Sequence, residues 1–264
     1  MNRIRPFIGG ELIKVMTGIR RSGKSVMLEL IKEELAEAGV APSQMISINF
    51  EDMRYSHLQT ATALHDEIIK RAEGIEGKAY LFFDEIQEVE GWEKCVNSLR
   101  VALDCDIYIT GSNAKLLSGE LATYIGGRYV EFVIYPFSFA EFLELYHTIA
   151  PSDSIQQCFQ KYLLAGGMPY LANLRYEEEP SRQYLTDLFN SVQLKDIVKR
   201  NKIRDIDLLE RIIAYMTANV GTVFSASSLA KFFKNEQRTV AAETILNYVR
   251  YCCDAYLFLS LIHI

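Results

Sequence analysis

The chain of 264 residues predicts an α/β fold: a P-loop NTPase parallel sheet flanked by helices, followed by an α-helical lid and a smaller helical module. Three observations predict it. Short apolar runs at about 12–16, 45–50, 79–83, 106–110 and 129–134 alternate with segments of helical periodicity, the pattern of a parallel sheet covered on both faces. Residues 18–25 match G-x-x-x-x-G-K-[ST] in full, between an apolar run and a helical pattern. The run 79–83 ends in two adjacent carboxylates, Asp84 and Glu85.

Leu12-Ile13-Lys14-Val15-Met16 reads as the first strand and leads into Gly18, Ile19, Arg20, Arg21, Ser22, Gly23, Lys24 and Ser25. The two glycines permit a tight turn, so that consecutive N–H groups and the N-terminus of the next helix converge on phosphate oxygens. Lys24 is expected at the β/γ-phosphates and the Ser25 hydroxyl at a Mg²⁺ ion. Val26 opens the helix, with Leu28, Leu30, Ile31 and Leu35 following at near-helical spacing, so the nucleotide-binding set runs from Gly18 to Val26. The competing reading is a Gly-rich turn with an incidental lysine. After the second strand, Glu51 and Asp52 are candidates to hold a water or sense a nucleotide, or else cap a turn.

The run Ala79-Tyr80-Leu81-Phe82-Phe83 reads as a buried parallel strand whose C-terminal end carries chemistry. Asp84 is placed to join Ser25 in the Mg²⁺ shell, and Glu85 is the candidate general base for activating a water against the γ-phosphate. Asp106-Ile107-Tyr108-Ile109-Thr110 is a further strand ending in Gly111-Ser112-Asn113, either a simple turn or the place of a γ-phosphate contact. Gly126-Gly127-Arg128 precedes the last strand. Arg128 can stabilise transition-state charge within the subunit or across an interface, or be a surface residue.

Pro136 ends the fifth strand and Ser138 can cap the helix that runs through Leu145. Another helical stretch, about 155–165, is closed by Gly166-Gly167-Met168-Pro169, and 181–200 is amphipathic. Residues 135–200 are assigned to a helical lid whose packing reports nucleotide state. Helical patterns at 207–218, 225–233 and 239–254 give a winged-helix-like module over 201–258. Its third helix has only Arg238 and Arg250 as cations, fewer than a base-reading helix offers, so a protein partner competes with DNA for this surface.

At 49% hydrophobic and 23% charged residues, the chain can bury one sizeable domain and a smaller one. No apolar run approaches the roughly 20 residues of a membrane span, and no signal peptide opens the sequence. Cys95, Cys105, Cys158, Cys252 and Cys253 form no metal-ligand spacing and read as thiols of a reducing, cytoplasmic compartment. His57, His65 and His147 are isolated. Residues 1–150 hold 15 Lys+Arg against 22 Asp+Glu, whereas 151–264 hold 13 against 12, so the first part is no general nucleic-acid surface. Basic residues gather at Lys195, Lys199, Arg200, Lys202 and Arg204, a solvated helix face or an electrostatic footprint, with Asp196, Asp205 and Asp207 interleaved.

The strings Ile4-Arg5-Pro6-Phe7, Thr17 to Ser25, Phe83-Asp84-Glu85-Ile86-Gln87, Thr110-Gly111-Ser112-Asn113, Gly127-Arg128 and Tyr135-Pro136-Phe137-Ser138-Phe139 resemble the bacterial and archaeal AAA-type ATPases usually labelled only "ATP-binding protein". Similarity runs through residues 4–258. The resemblance implies an AAA-like core over 1–134, a helical lid, a winged-helix module and a further nuclease-like C-terminal domain. It also implies the strand order 5-1-4-3-2, ATP rather than GTP, and a γ-phosphate or water contact from Ser112 or Asn113, both of which qualify. The chain stops soon after Tyr256-Leu257-Phe258. Its last six residues, Leu259 to Ile264, are what the transposase-adapter sequence CTGTCTCTTATACACATC encodes, so 259–264 is expected to be a non-native tail on a truncated frame. An apolar C-terminal strand is the alternative, and His263 receives no role.

The expected activity is Mg²⁺-dependent ATP hydrolysis used as a conformational switch. The alternative is a nucleotide-gated DNA- or protein-binding module with little or no turnover. Glu85 beside Asp84 favours water as the phosphoryl acceptor over a kinase-like reaction. No partner is named by the sequence, no membrane contact is expected, and no oligomeric state is assigned.

Overall fold

The computed structural model describes residues 1–117, 125–235 and 238–260. The chain forms two compact units, Met1–Arg182 and Gln183–Ile264. Their boundary falls inside the segment 135–200 that the sequence reading treats as one lid.

The first unit is built on five parallel strands: β1 (Ile13–Thr17), β2 (Met45–Asn49), β3 (Ala79–Asp84), β4 (Cys105–Gly111) and β5 (Tyr129–Val133). Their order is β2-β3-β4-β1-β5, which from the other edge reads 5-1-4-3-2. Every residue of β1 and β4 is buried, as expected of central strands covered on both faces. Side chains alternate between two cores because the strand repeat is two residues. Ile13, Val15, Leu81, Phe83, Ile107 and Ile109 face α2 (Ala61–Ala72) and α3 (Trp92–Ala102), which contribute Leu64, Ile68, Val96 and Leu99. Met16, Phe82, Tyr108 and Phe132 face Leu28, Ile31 and Leu35 of α1 (Lys24–Glu37).

Two opposite charges are buried as a pair between the central strands of this sheet. Lys14 pairs with Asp106 across β1 and β4, and both side chains are wholly buried. Lys14 also donates to the Gly10 carbonyl at 2.8 Å, while Asp106 accepts from Tyr108 Oη at 2.7 Å and from the Gly9 N–H at 2.6 Å. The pair thereby ties the segment before β1 to the N-terminal edge of the sheet. Such a pair is tolerable because each charge has further hydrogen bonds.

Register fixes where the strands end. Thr17 lies opposite Gly111 and Val133, Phe83 opposite Ile109, and Asn49 opposite Asp84, so all C-terminal ends share one edge. Beyond β5, Ser138 caps α4 (Phe139–Tyr146) in a capping box with Glu141, and Ser154 does the same with Gln157 for α5 (Ile155–Ala165). A single 3₁₀ turn follows at Pro169–Ala172. The helix α6 (Glu178–Ser191) carries the boundary between the units.

In the second unit a π-helical stretch, Val192–Lys199, precedes α7 (Ile206–Ala218), α8 (Ala226–Asn235) and α9 (Ala242–Asp254). Leu208, Ile212, Leu229, Phe233 and Ile245 form their common core. Asp205 caps α7, and the Ser228 N–H donates to Ser225 Oγ at the start of α8. Among the described residues this unit contains no strand.

Candidate nucleotide site

The loop between β1 and α1 is held in a conformation few side chains would accept. Gly18 has φ +143°, and a Cβ there would lie 2.2 Å from the Ile134 carbonyl oxygen. Arg21, though not glycine, has φ +67°. Strain of this kind persists where the surroundings over-determine it, often at functional sites. Lys24 opens α1 and is almost wholly buried; its Nζ donates to the Gly18 and Ile19 carbonyls at 3.1 Å each. The lysine therefore curls over the mouth of its own loop.

Beside it lies a cavity of about 300 Å³, at the small end of ligand pockets. One wall is Arg20, Arg21, Gly23, Lys24, Ser25 and Val26, with Glu51 and Glu85 adjoining; the other is Pro169, Tyr170 and Asn173. The loop and Glu85 thus share one cavity. Arg20 pairs with Glu51 at 3.1 Å. Asp52 instead caps a 3₁₀ turn, accepting from the Arg54 N–H at 2.9 Å.

The two carboxylates at the end of β3 have different environments. Asp84 Oδ1 accepts from Thr110 Oγ1 at 2.5 Å and Oδ2 from Asn49 Nδ2 at 3.2 Å. Thr110 Oγ1 in turn accepts the Glu85 N–H at 2.9 Å, so one β4 hydroxyl orients both residues. Glu85 has φ +55°, which turns the chain sharply after β3. Burial pushes the Glu85 carboxyl above its usual range; Lys24 and a hydrogen bond from Gln87 pull it down, while Asp84 adds to the rise.

Asp84 is buried at the end of β3, and Ser112 and Asn113 are buried just after β4; none of the three lines the cavity. Arg128 is a correction. Tyr129 lies opposite Ile13, so Arg128 stands at the N-terminal edge of the sheet, whereas the loop follows Thr17 at the C-terminal edge. A five-residue strand at about 3.3 Å per residue separates them, and Arg128 donates to Asn97 Oδ1 at 3.2 Å instead. A role for Arg128 at this site within the same chain is excluded.

Sequence reasoning missed the second wall. Its signal was the Gly166-Gly167 pair, read only as a breaker. A Cβ at Gly167 would lie 2.0 Å from the Phe137 carbonyl oxygen, and the Phe137 N–H donates to the Gly167 carbonyl at 2.7 Å. The missing side chain is what lets the Pro169–Ala172 turn seat against the segment after β5.

As to a divalent cation, the residues fit. Ser25 and Asp84 offer hard oxygen donors, and each Asp84 oxygen, with one hydrogen bond among the described residues, keeps a lone pair. In the cradle, Ser22 Oγ is buried with no hydrogen-bond partner among the described residues.

The profile of the AAA domain family matches residues 11–143, just over half of the chain. This chain belongs to the AAA domain family. Nucleotide binding is the activity that membership supports. A second profile, a domain of unknown function (DUF8612), matches this AAA chain over 156–264. An uncharacterized protein of Haemophilus influenzae is 37% identical over 259 residues, covering 98% of this chain and 64% of the relative. The uncharacterized protein MJ1544 of Methanocaldococcus jannaschii is 33% identical over 261 residues, covering 94% and 56%. The chain thus spans less than two thirds of the length of either relative. Among solved structures, the Aeropyrum pernix ORC1 protein in complex with DNA aligns at 14% identity and TM-score 0.40, covering 96% of this chain and 80% of that one. C. elegans PCH-2 aligns at 13% and 0.40, covering 97% and 63%. Among the described residues no helix is long and apolar enough to cross a membrane.

Proposed function

We propose that this AAA chain binds ATP with Mg²⁺ and hydrolyses it, using the change of nucleotide state as a conformational switch. The observation that carries the reading is that Lys24, Ser25 and Glu85 border one cavity although 60 positions separate the loop from the carboxylate. The loop amides and Lys24 bind the triphosphate. Ser25 and Asp84 would hold the cation, which when bound neutralises charge on the β- and γ-phosphate oxygens. Glu85 orients a water and takes its proton. The water oxygen bonds to the γ-phosphorus, the bond to the β–γ bridging oxygen breaks, and ADP leaves with that electron pair. Ser112 or Asn113 senses the γ-phosphate from the end of β4. Arg128 is kept only as a group offered to a second copy.

The three-helix unit is read as a winged-helix-like output module at 201–258, after a lid at 135–200. The alternative, a nucleotide-gated binding module with little turnover, uses the same module. Arg238 bears on its partner: its guanidinium is bonded to Asp205 at 2.7 Å and to Asp207, which leaves Arg250 as the exposed cation at the third helix. That supports a protein partner over DNA. Five free cysteines agree with a cytoplasmic setting.

The test is Mg²⁺-dependent phosphate release by the wild type, Lys24→Ala and Glu85→Gln. Lys24→Ala is expected to lose ATP affinity. Glu85→Gln is expected to keep affinity and lose about 10²–10⁴-fold in turnover, the range for a general base. Equal rates for wild type and Glu85→Gln remove Glu85 from the mechanism, and ATP binding without turnover in the wild type moves the reading to the binding module.

A further inference from the structure

Two residues after the carboxylate, the Gln87 side chain returns to it. The left-handed backbone at Glu85 leads directly into the 3₁₀ turn Ile86–Glu88, and this turn brings the Gln87 amide within reach of the side chain it follows. Gln87 Nε2 donates to Glu85 Oε2. The other end of the same amide, Oε1, is buried, has no hydrogen-bond partner among the described residues, and faces the end of β4. A Cβ on Gly111 would lie 2.8 Å from that oxygen, so the glycine at the end of β4 leaves the space the amide occupies. The Gln87 side chain therefore lies between the carboxylate and the strand end that precedes Ser112.

A carboxylate on a two-carbon stem at the rim of an open cavity has several rotamers, and only some present an oxygen to a water in line with a phosphate. We infer that Gln87 is a positioning residue that pins Glu85 Oε2 and leaves Oε1 to accept the proton of the attacking water. The inference rests on Glu85 acting as the base. An amide suits the task better than a charged group. The charges already facing Glu85 are Lys24, Arg20 and Asp84, and a lysine or arginine at 87 would compete with Lys24 for the carboxylate. A glutamate there would repel both carboxylates.

Hydrolysis and ATP affinity are measured for the wild type, Gln87→Met, Gln87→Glu, Glu85→Gln and the double variant Glu85→Gln/Gln87→Met. Gln87→Met keeps the length and removes the donor; Gln87→Glu keeps the shape and replaces the donor with a like charge. Turnover is expected to fall about tenfold in Gln87→Met, part of the contribution of a general base, and further in Gln87→Glu. The dissociation constant for ATP stays within twofold in both. Under single-turnover conditions with enzyme in excess, the double variant hydrolyses no slower than Glu85→Gln alone, because residues that act as a unit are not additive.

Unchanged turnover in both single variants overturns the inference. So does a loss of ATP affinity that accounts for the fall, or an equal fall when Gln87→Met is added to Glu85→Gln; the last two are what a merely structural side chain would give. Failure of the underlying reading has a different signature: the wild type and Glu85→Gln then hydrolyse at the same rate, whatever occupies position 87.

Discussion

Glu85 combines two unfavourable features, a left-handed backbone without glycine and a carboxyl that burial pushes upward. The second gives a linkage prediction. A carboxyl whose folded value is raised binds protons more readily in the folded chain, so folding stability falls as pH rises from the ordinary carboxylate value through the folded one. The loss persists at neutral pH. Glu85→Gln, isosteric and neutral, is therefore expected to raise the thermal unfolding midpoint of the nucleotide-free protein at pH 7, and the gain is expected to shrink as pH approaches 4. An unchanged or lower midpoint at pH 7 would mean that the carboxylate is already compensated. Asp84 and Glu85 stood out in the sequence because the apolar run that ends in two acids lies some 60 positions beyond the phosphate-binding loop; such a run alone is common. Thr110 and Asn49 did not, since their hydrogen bonds to Asp84 arise only when β2, β3 and β4 lie side by side, and Gln87 did not, since its contact depends on the left-handed backbone at Glu85. Arg128 stayed open between the same subunit, an interface and the surface because a Gly-Gly-Arg string does not say at which edge of the sheet it stands; the register removes only the first. The Lys14–Asp106 pair was equally hidden, because the two residues are 92 positions apart. Asp106→Asn leaves Lys14 buried without its counter-charge, and breaking a buried pair costs about 3–5 kcal/mol. Chemical denaturation is expected to register that loss, and a change below about 1 kcal/mol would show that the Gly10 carbonyl and Tyr108 suffice.

Among the elements, strands and caps were the most legible. Strand positions follow from apolar runs of five to seven residues, and Ser138 announces its helix because a serine three residues before a glutamate can satisfy two orphan amides. The turn Pro169–Ala172 was illegible as a wall, because its place depends on a backbone contact between segments some 30 positions apart. Two adjacent glycines separate conformational from steric need. Gly166 has φ +72° and ψ −169°, a backbone region essentially restricted to glycine, with open space around its Cα, so Gly166→Ala meets only a backbone penalty of about 1–3 kcal/mol. Gly167 has no such φ, yet its Cβ would strike the Phe137 backbone, which no side-chain rotation relieves. Gly167→Ala is expected to be the more destabilising in urea, and to weaken ATP binding as well by displacing Tyr170. Equal losses in stability would mean that the turn shifts freely.

For the whole molecule, the partition of the chain makes the switch testable. Every described residue that lines the cavity belongs to Met1–Arg182, whereas the helices proposed as output belong to Gln183–Ile264. A nucleotide that binds folded protein alone adds about 2.7 kcal/mol at a hundred times its dissociation constant. That stabilisation acts first where the contacts are, and it reaches the second unit only through a coupling free energy, typically about 1–3 kcal/mol. Amide hydrogen exchange on the full chain measures both quantities at once. With ATP on Glu85→Gln, which is expected to bind without turning over, protection is expected to rise across residues 17–26 and at the end of β3. The switch reading further requires that α7, α8 and α9 exchange at different rates with ATP than with ADP. Identical exchange of these helices in the two states, beside clear protection of the loop, would leave an ATPase whose energy is not passed to this unit. A difference there without protection of the loop would place the bound nucleotide somewhere other than the cavity beside Lys24.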